Sequence, residues 1–205
     1  MKVKVCGLND QVNITGVVAA GAELVGLIFY AKSPRSVDKG NVTADFVREL
    51  DVERVGVFVN EREDRIMELA GEFGLGYLQL HGDESPETCA RFRSKGYKVF
   101  KAISVGGTVD LEGLEKYEGS IDYLLFDTKG KNRGGNGEKF DWEVLTQYTL
   151  KTPFLLSGGL SPEDAENVSA LKMDQLWAVD LNSGFESKPG IKKTNELREF
   201  IQKIH

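Results

Sequence analysis

Eight short runs rich in β-branched and large apolar residues recur along the chain, and their even spacing constrains the fold more than any other feature. They occupy residues 3–6, 24–30, 54–59, 77–80, 98–103, 123–127, 154–156 and 177–181, and their starts lie 21 to 31 residues apart. That interval suits one strand plus one crossover helix per unit. Between the runs lie helical patterns. Residues 64–73 carry Ile66, Leu69, Ala70 and Phe73 at spacings of three and four, which is one helix face. Ser85-Pro86-Glu87-Thr88 and Ser161-Pro162-Glu163-Asp164 each set a capping serine before a first-turn proline and acids. A last helical stretch covers residues 193–204. Alternating strands and helices imply a parallel sheet. Eight regular units with no G-x-G-x-x-G after the first favour a closed (βα)₈ barrel, one α/β domain over residues 1–205, near the lower size limit for that fold.

The reactive residues then fall in a telling place. Cys6 and Asp127 each close a run, and the turns Ser157-Gly158-Gly159 and Asn182-Ser183-Gly184 directly follow two others. In a parallel barrel all four gather at the C-terminal end of the strands, where such folds carry their chemistry. Strand alternation refines this. Val3 and Val5 belong under the helices, which turns Lys4 and Cys6 inward; the same logic pairs Gln79 with His81 and sets Lys101 among the inward polar groups. Polar groups inside a barrel are costly unless partnered, so several of them together predict a polar pocket.

Composition excludes other classes. The formal charge of −6 argues against binding nucleic acid or an anionic membrane through bulk electrostatics, while permitting a local anion site. The start MKVKVCGLND lacks the apolar core of a signal peptide, and no apolar stretch reaches the roughly 18 residues of a membrane span. Two cysteines 83 positions apart fit free thiols in a reduced, cytoplasmic compartment.

The glycine turns give the strongest residue-level argument for a ligand. Barrels often bind phosphate with the loops after strands seven and eight, and glycine lets backbone N–H groups come close to an anion. Gly158, Gly159, Ser183 and Gly184 are therefore the candidate phosphate contacts. The loop at residues 128–139, with Gly134-Gly135-Asn136-Gly137, reads as a lid or one wall of the pocket. His81 is a pocket residue whose role stays open, as does that of Asp180. Lys101 is an ion-pair member or, more sharply, a Schiff-base lysine; the ion pair is preferred. Cys89, mid-helix, reads as a buried structural residue.

In order, the stretches K-V-C-G-L, F-Y-A-K-S-P-R-S-V, V-G-V-F-V-N, L-Q-L-H-G-D-E, L-L-F-D-T-K-G followed by G-G-N-G-E-K-F-D-W, L-L-S-G-G-L-S-P-E-D and A-V-D-L-N-S-G-F-E-S-K-P-G-I-K resemble the phosphoribosylanthranilate isomerases. Asn9 and Asn182 depart from the pattern, standing where threonine and serine are common. The resemblance implies an isomerase of tryptophan biosynthesis that performs an Amadori rearrangement with neither metal nor organic cofactor, working as a monomer or homodimer on a phosphoribosyl substrate. It implies Cys6 as general base, Asp127 as general acid, and Arg35 as the fork on the anthranilate carboxylate, a planar pairing that suits arginine. Such chemistry needs the acid protonated and the thiol deprotonated at one pH, so burial is expected to raise the carboxyl's pKa and Lys4 or the phosphate amides to lower the thiol's. Two other readings compete: a phosphosugar lyase working through Lys101, and a non-catalytic barrel that binds a phosphorylated metabolite.

Overall fold

The computed structural model describes residues 1–106, 109–128 and 141–205. Eight parallel strands close a barrel: β1 (Lys2–Cys6), β2 (Leu24–Ile28), β3 (Glu53–Phe58), β4 (Tyr77–Leu80), β5 (Lys98–Val105), β6 (Tyr123–Thr128), β7 (Phe154–Leu156) and β8 (Leu176–Leu181). Closure is made by β8 pairing with β1, with Lys4 opposite Asp180. Each strand coincides with a predicted run, with ends shifted by a residue or two. β5 runs on to Val105 because β6 offers partners as far as Thr128. The helices are α1 (Gln11–Ala19), α2 (Ala44–Arg48), α3 (Glu63–Phe73), α4 (Pro86–Ser94), α5 (Leu111–Glu115), α6 (Ala165–Ala170) and α7 (Thr194–Ile204). After β6 a 3₁₀ segment, Trp142–Gln147, takes the helix position. The predicted glycine cluster at residues 134–137 lies outside the described residues.

Local chemistry accounts for the helix ends. Ser85 accepts a hydrogen bond from the Thr88 N–H with Pro86 behind it, and Ser161 forms a capping box with Asp164 before α6. α3 buries the predicted face of Ile66, Leu69, Ala70 and Phe73 and stops at Gly74, whose φ of 61° is left-handed. One element was not expected: after β8 the chain makes a short hairpin, β9 (Glu186–Lys188) and β10 (Ile191–Lys192), before α7.

The core has two layers. The outer one, between barrel and helices, contains Val3, Val5, Leu27, Phe58, Leu80, Val99, Phe126 and Val179. The inner one fills the barrel with Leu24, Val55, Phe100, Ala102, Leu125, Leu155 and Ala178. Burying one such large side chain contributes about 1.5–3 kcal/mol. This inner layer is a floor, and the polar groups stand above it.

Candidate active site

Alternation along the strands sets which groups meet above that floor. Val5, Leu80, Phe126 and Val179 pack outward, so Cys6, Gln79, His81, Asp127 and Asp180 turn inward. Cys6 ends β1 almost wholly buried. Its place in the wall depends on Gly26 of the neighbouring β2: a Cβ there would sit 2.7 Å from the Cys6 sulfur. Glycine within an otherwise apolar strand is a signal of such close approach.

Asp127 is also buried. Its Oδ1 accepts the Thr128 N–H at 2.9 Å, and its Oδ2 faces His81 Nε2 at 3.4 Å. His81 Nδ1 lies 2.9 Å from the Gln79 side-chain nitrogen. With that amide N–H donated to Nδ1, the proton of the neutral ring sits on Nε2, aimed at Asp127. The pocket role expected of His81 is therefore a contact with the aspartate.

Beside Cys6, Lys4 is fully buried with its Nζ 2.8 Å from Asp180 Oδ1. Burial works against the ammonium, but Asp180 and then Cys6 outweigh it and raise the Lys4 pKa. The thiol does not behave as expected. Burial is the largest influence on Cys6 and raises its pKa, with Lys4 pulling the other way. A cation alone does not overcome desolvation in this dry wall.

Arg35 comes to the same mouth by lying over Gly7, where a Cβ would meet its Cδ at 2.7 Å; the φ of 75° at Gly7 also favours glycine. The predicted carboxylate fork is partly occupied. Glu186 takes the Nε–Nη2 edge at 2.7 to 3.0 Å, which leaves Nη1 without a hydrogen bond among the described residues. Glu186 is itself a hub, accepting from Lys192 Nζ at 2.6 Å and the Gly190 N–H at 3.1 Å. Lys192 also donates to Asn182 Oδ1 at 2.7 Å. Burial lowers the Lys192 pKa to about 8 although Glu186 supports its charge. For Glu186 burial acts upward, and the bonds from Arg35 and Lys192 prevail to lower the pKa.

The two glycine turns stand side by side. A Cβ at Gly184 would fall 2.0 Å from the Leu160 carbonyl oxygen, and one at Gly158 would fall 2.6 Å from the Thr128 nitrogen. Gly158 and Gly159 both have positive φ, 89° and 68°. These glycines are thus required by packing as well as suited to an anion, and Gly158 sets the β7 turn against the residue that follows Asp127. Half-buried Ser183 opens the β8 turn.

Lys101 is a correction. Val99 and Ile103 share its face and pack in the outer layer, whereas Phe100 and Ala102 face the interior. Lys101 therefore points behind the barrel wall, bonded to Glu84 Oε2 at 2.9 Å and the Gly82 carbonyl at 2.6 Å. The preferred ion-pair role holds, and a Schiff base with a ligand in the barrel mouth is out of its reach. Cys89 is buried in α4, as expected, with burial pushing its thiol up to about 11. Among the described residues no group of three or more His, Cys, Asp or Glu is arranged to hold a metal ion.

A model of the N-(5'-phosphoribosyl)anthranilate isomerase family matches residues 3–203. The chain belongs to that family. The isomerase of Parabacteroides distasonis is 44% identical across 100% of this chain and 93% of its own length; that of Phocaeicola vulgatus is 41% identical, with 100% and 98% covered. The crystal structure of the Thermotoga maritima isomerase superposes with a TM-score of 0.85 at 36% identity, covering 100% of this chain and 98% of that one. A further isomerase structure, solved with reduced 1-(o-carboxyphenylamino)-1-deoxyribulose 5-phosphate, gives 0.80 at 33% identity over the same shares.

Gly26, Glu84, Glu186 and Lys192 were not singled out from the sequence, and Asn182 was noted only as a departure from the family pattern. Of these only Gly26 carried a local signal. The others matter through partners distant in the chain.

Proposed function

We propose that this chain isomerises N-(5'-phosphoribosyl)anthranilate to 1-(o-carboxyphenylamino)-1-deoxyribulose 5-phosphate, a step of tryptophan biosynthesis, with Asp127 as general acid and Cys6 as general base. What supports this most is the convergence of the two groups on inward faces at one mouth, with Arg35 and the β7 and β8 turns around it. Protonated Asp127 gives its proton to the ribose ring oxygen as the bond from that oxygen to C1 breaks, which leaves an open-chain iminium. The Cys6 thiolate removes the proton from C2, and the electron pair of that bond neutralises the iminium to form an enolamine. Moving one proton from the C2 hydroxyl to C1 yields the ketone. Substrate and product are isomers. The enzyme resets when the proton on Cys6 is lost and Asp127 regains one.

The supporting groups suit this sequence. His81 Nε2–H stabilises the carboxylate that Asp127 becomes, and Nη1 of Arg35 is oriented for the anthranilate carboxylate because Glu186 fixes the opposite edge of the guanidinium. Gly158, Gly159, Ser183 and Gly184 would receive the phosphate through backbone N–H groups and the hydroxyl. The experiment is direct. Purified protein should consume fluorescent phosphoribosylanthranilate. Cys6→Ser and Asp127→Asn should each lower kcat by about a hundredfold or more with the fold intact, and Cys89→Ser should turn over normally. Near-normal turnover by either of the first two would sink the assignment.

A further inference from the structure

The reaction as written uses neither Lys4 nor Asp180, yet the two form an ion pair inside the barrel. Lys4 of β1 and Asp180 of β8 are partners across the sheet, and their charged atoms are 2.8 Å apart with side-chain exposures of 0% and 5%. Well-packed apolar residues of similar volume are often as stable as a buried pair or more so. Stability alone therefore does not account for it. Two residues along the same face stands Cys6, so the Lys4 ammonium, bonded to Asp180 at 2.8 Å, also acts on the thiol as a neighbouring positive charge.

Among the described residues the charges around the sulfur are few. β1 supplies Lys4, β8 supplies Asp180, β10 supplies Lys192, and β2 supplies the uncharged Gly26. Asp180 in turn feels Asp127 from β6 and His81 from beyond β4. Lys192 is tied to Glu186, which also holds Arg35. Lys4 is the largest influence opposing the effect of burial on the thiol, and Asp180 acts in the opposite sense to Lys4.

We infer that Lys4 is a positioning residue for Cys6: its ammonium is the countercharge on which the thiolate forms, and Asp180 sits on the far side of that ammonium as the competing anion. The inference rests on the reading of Cys6 as the base. It makes a prediction of opposite signs that a merely structural pair would not. Lys4→Met leaves the thiol facing Asp180 without the cation, so the thiol should titrate higher. Asp180→Asn leaves the ammonium without its anion, so the thiol should titrate lower. Each shift should be about one pH unit or more, the scale for a charge in direct contact.

The test starts from Cys89→Ser, which leaves Cys6 as the single cysteine of a chain that has two. Ultraviolet absorbance of the thiolate is titrated in the unliganded protein, and kcat/KM is followed against pH in the same variants. The expected result is a thiol that moves up in Lys4→Met and down in Asp180→Asn, with the acidic limb of kcat/KM moving alongside. If Lys4→Met does not fold, Lys4→Met/Asp180→Leu has no buried charge at that site. It should still titrate above the parent, because Lys4 outweighs Asp180 at the sulfur. Shifts in one direction for both single variants, or none, would overturn the inference. Opposite thiol shifts with an unmoved kcat/KM limb would instead show that Cys6 is not the base, and the catalytic part of the inference would fall with that reading.

Discussion

The two ends of the barrel interior are built from the same strands and differ completely in chemistry. At the N-terminal end Tyr77, Phe100, Tyr123 and Trp177 cluster in tilted and edge-to-face contacts, with ring centroids 4.1 to 5.9 Å apart. At the C-terminal end stand Lys4, Cys6, Gln79, His81, Asp127 and Asp180. The change takes two inward positions: on β4 Tyr77 gives way to Gln79 and His81, and on β6 Tyr123 and Leu125 give way to Asp127. Stability and chemistry are thus separated by about 7 Å of strand per two-residue step. A barrel can afford expensive charges at one end because the other end closes it with apolar area.

Exchanging a residue at each end should therefore produce opposite signatures. Phe100→Ala removes a wholly buried ring that touches three other aromatic side chains, and should cost about 3–5 kcal/mol of unfolding free energy with kcat unchanged in the protein that remains folded. Chemical denaturation and steady-state kinetics on the same preparation would check it. A large loss of kcat without loss of stability would show that the floor takes part in the reaction and would break the comparison.

The next effect belongs to the charged end and depends on pH. Glu186 holds both Arg35 and Lys192, so Glu186→Gln leaves two cations without their anion in a site where the Glu186 side chain is 5% exposed. At neutral pH the loss should be about 3 kcal/mol, the scale for stripping one partner from a buried pair. The folded pKa of Glu186 lies below its ordinary value of 4.5. A carboxyl with a depressed folded pKa contributes stability that is present above the ordinary value and lost as pH falls through the folded one. The gap between wild type and variant should accordingly close in acid and be widest near neutrality. A gap independent of pH would mean that shape, not charge, is what Glu186 provides.

Arg35→Ala should act on ligand more than on fold. Affinity for the carboxylate-bearing product should fall by about 2–3 kcal/mol, the range for losing a charge-assisted contact. An analogue without the carboxylate should bind both proteins alike. Equal losses for the two ligands, read by calorimetry, would assign Arg35 to holding Glu186 instead.

How much of this was legible in the sequence follows the same division. Strand positions, the helix caps at Ser85 and Ser161, and the inward turn of Lys4 and Cys6 were readable because each is local. Lys101 was misplaced because both faces of β5 are apolar, Val99 and Ile103 on one and Phe100 and Ala102 on the other. In a strand buried on both sides, alternation does not say which face is the interior. The Arg35–Glu186 pair spans 151 positions, and the hairpin that carries Lys192 to it has strands too short to leave a periodic signal. The thiol's raised pKa was missed for a different reason: a nearby cation is visible in sequence, and the depth of burial is not.

The smallest effect is also the one that tests the division most finely. Lys2 and Lys4 point the same way on β1 and lie at opposite ends of the contrast. Lys2 is 43% exposed, with its Nζ 5.9 Å from the centre of the Trp177 ring and 3.7 Å from Glu23. An exposed cation on an aromatic face with a loose ion pair is worth about 0.5–1 kcal/mol. Lys2→Ala should cost no more than that and should leave both the Cys6 titration and the pH dependence of kcat/KM where they were. Lys4, buried beside the thiol, should move both when replaced. If Lys2→Ala shifts the thiol as Lys4→Met does, the field at Cys6 is set by the overall charge of the strand, and the separation of the two ends fails at the point where it is narrowest.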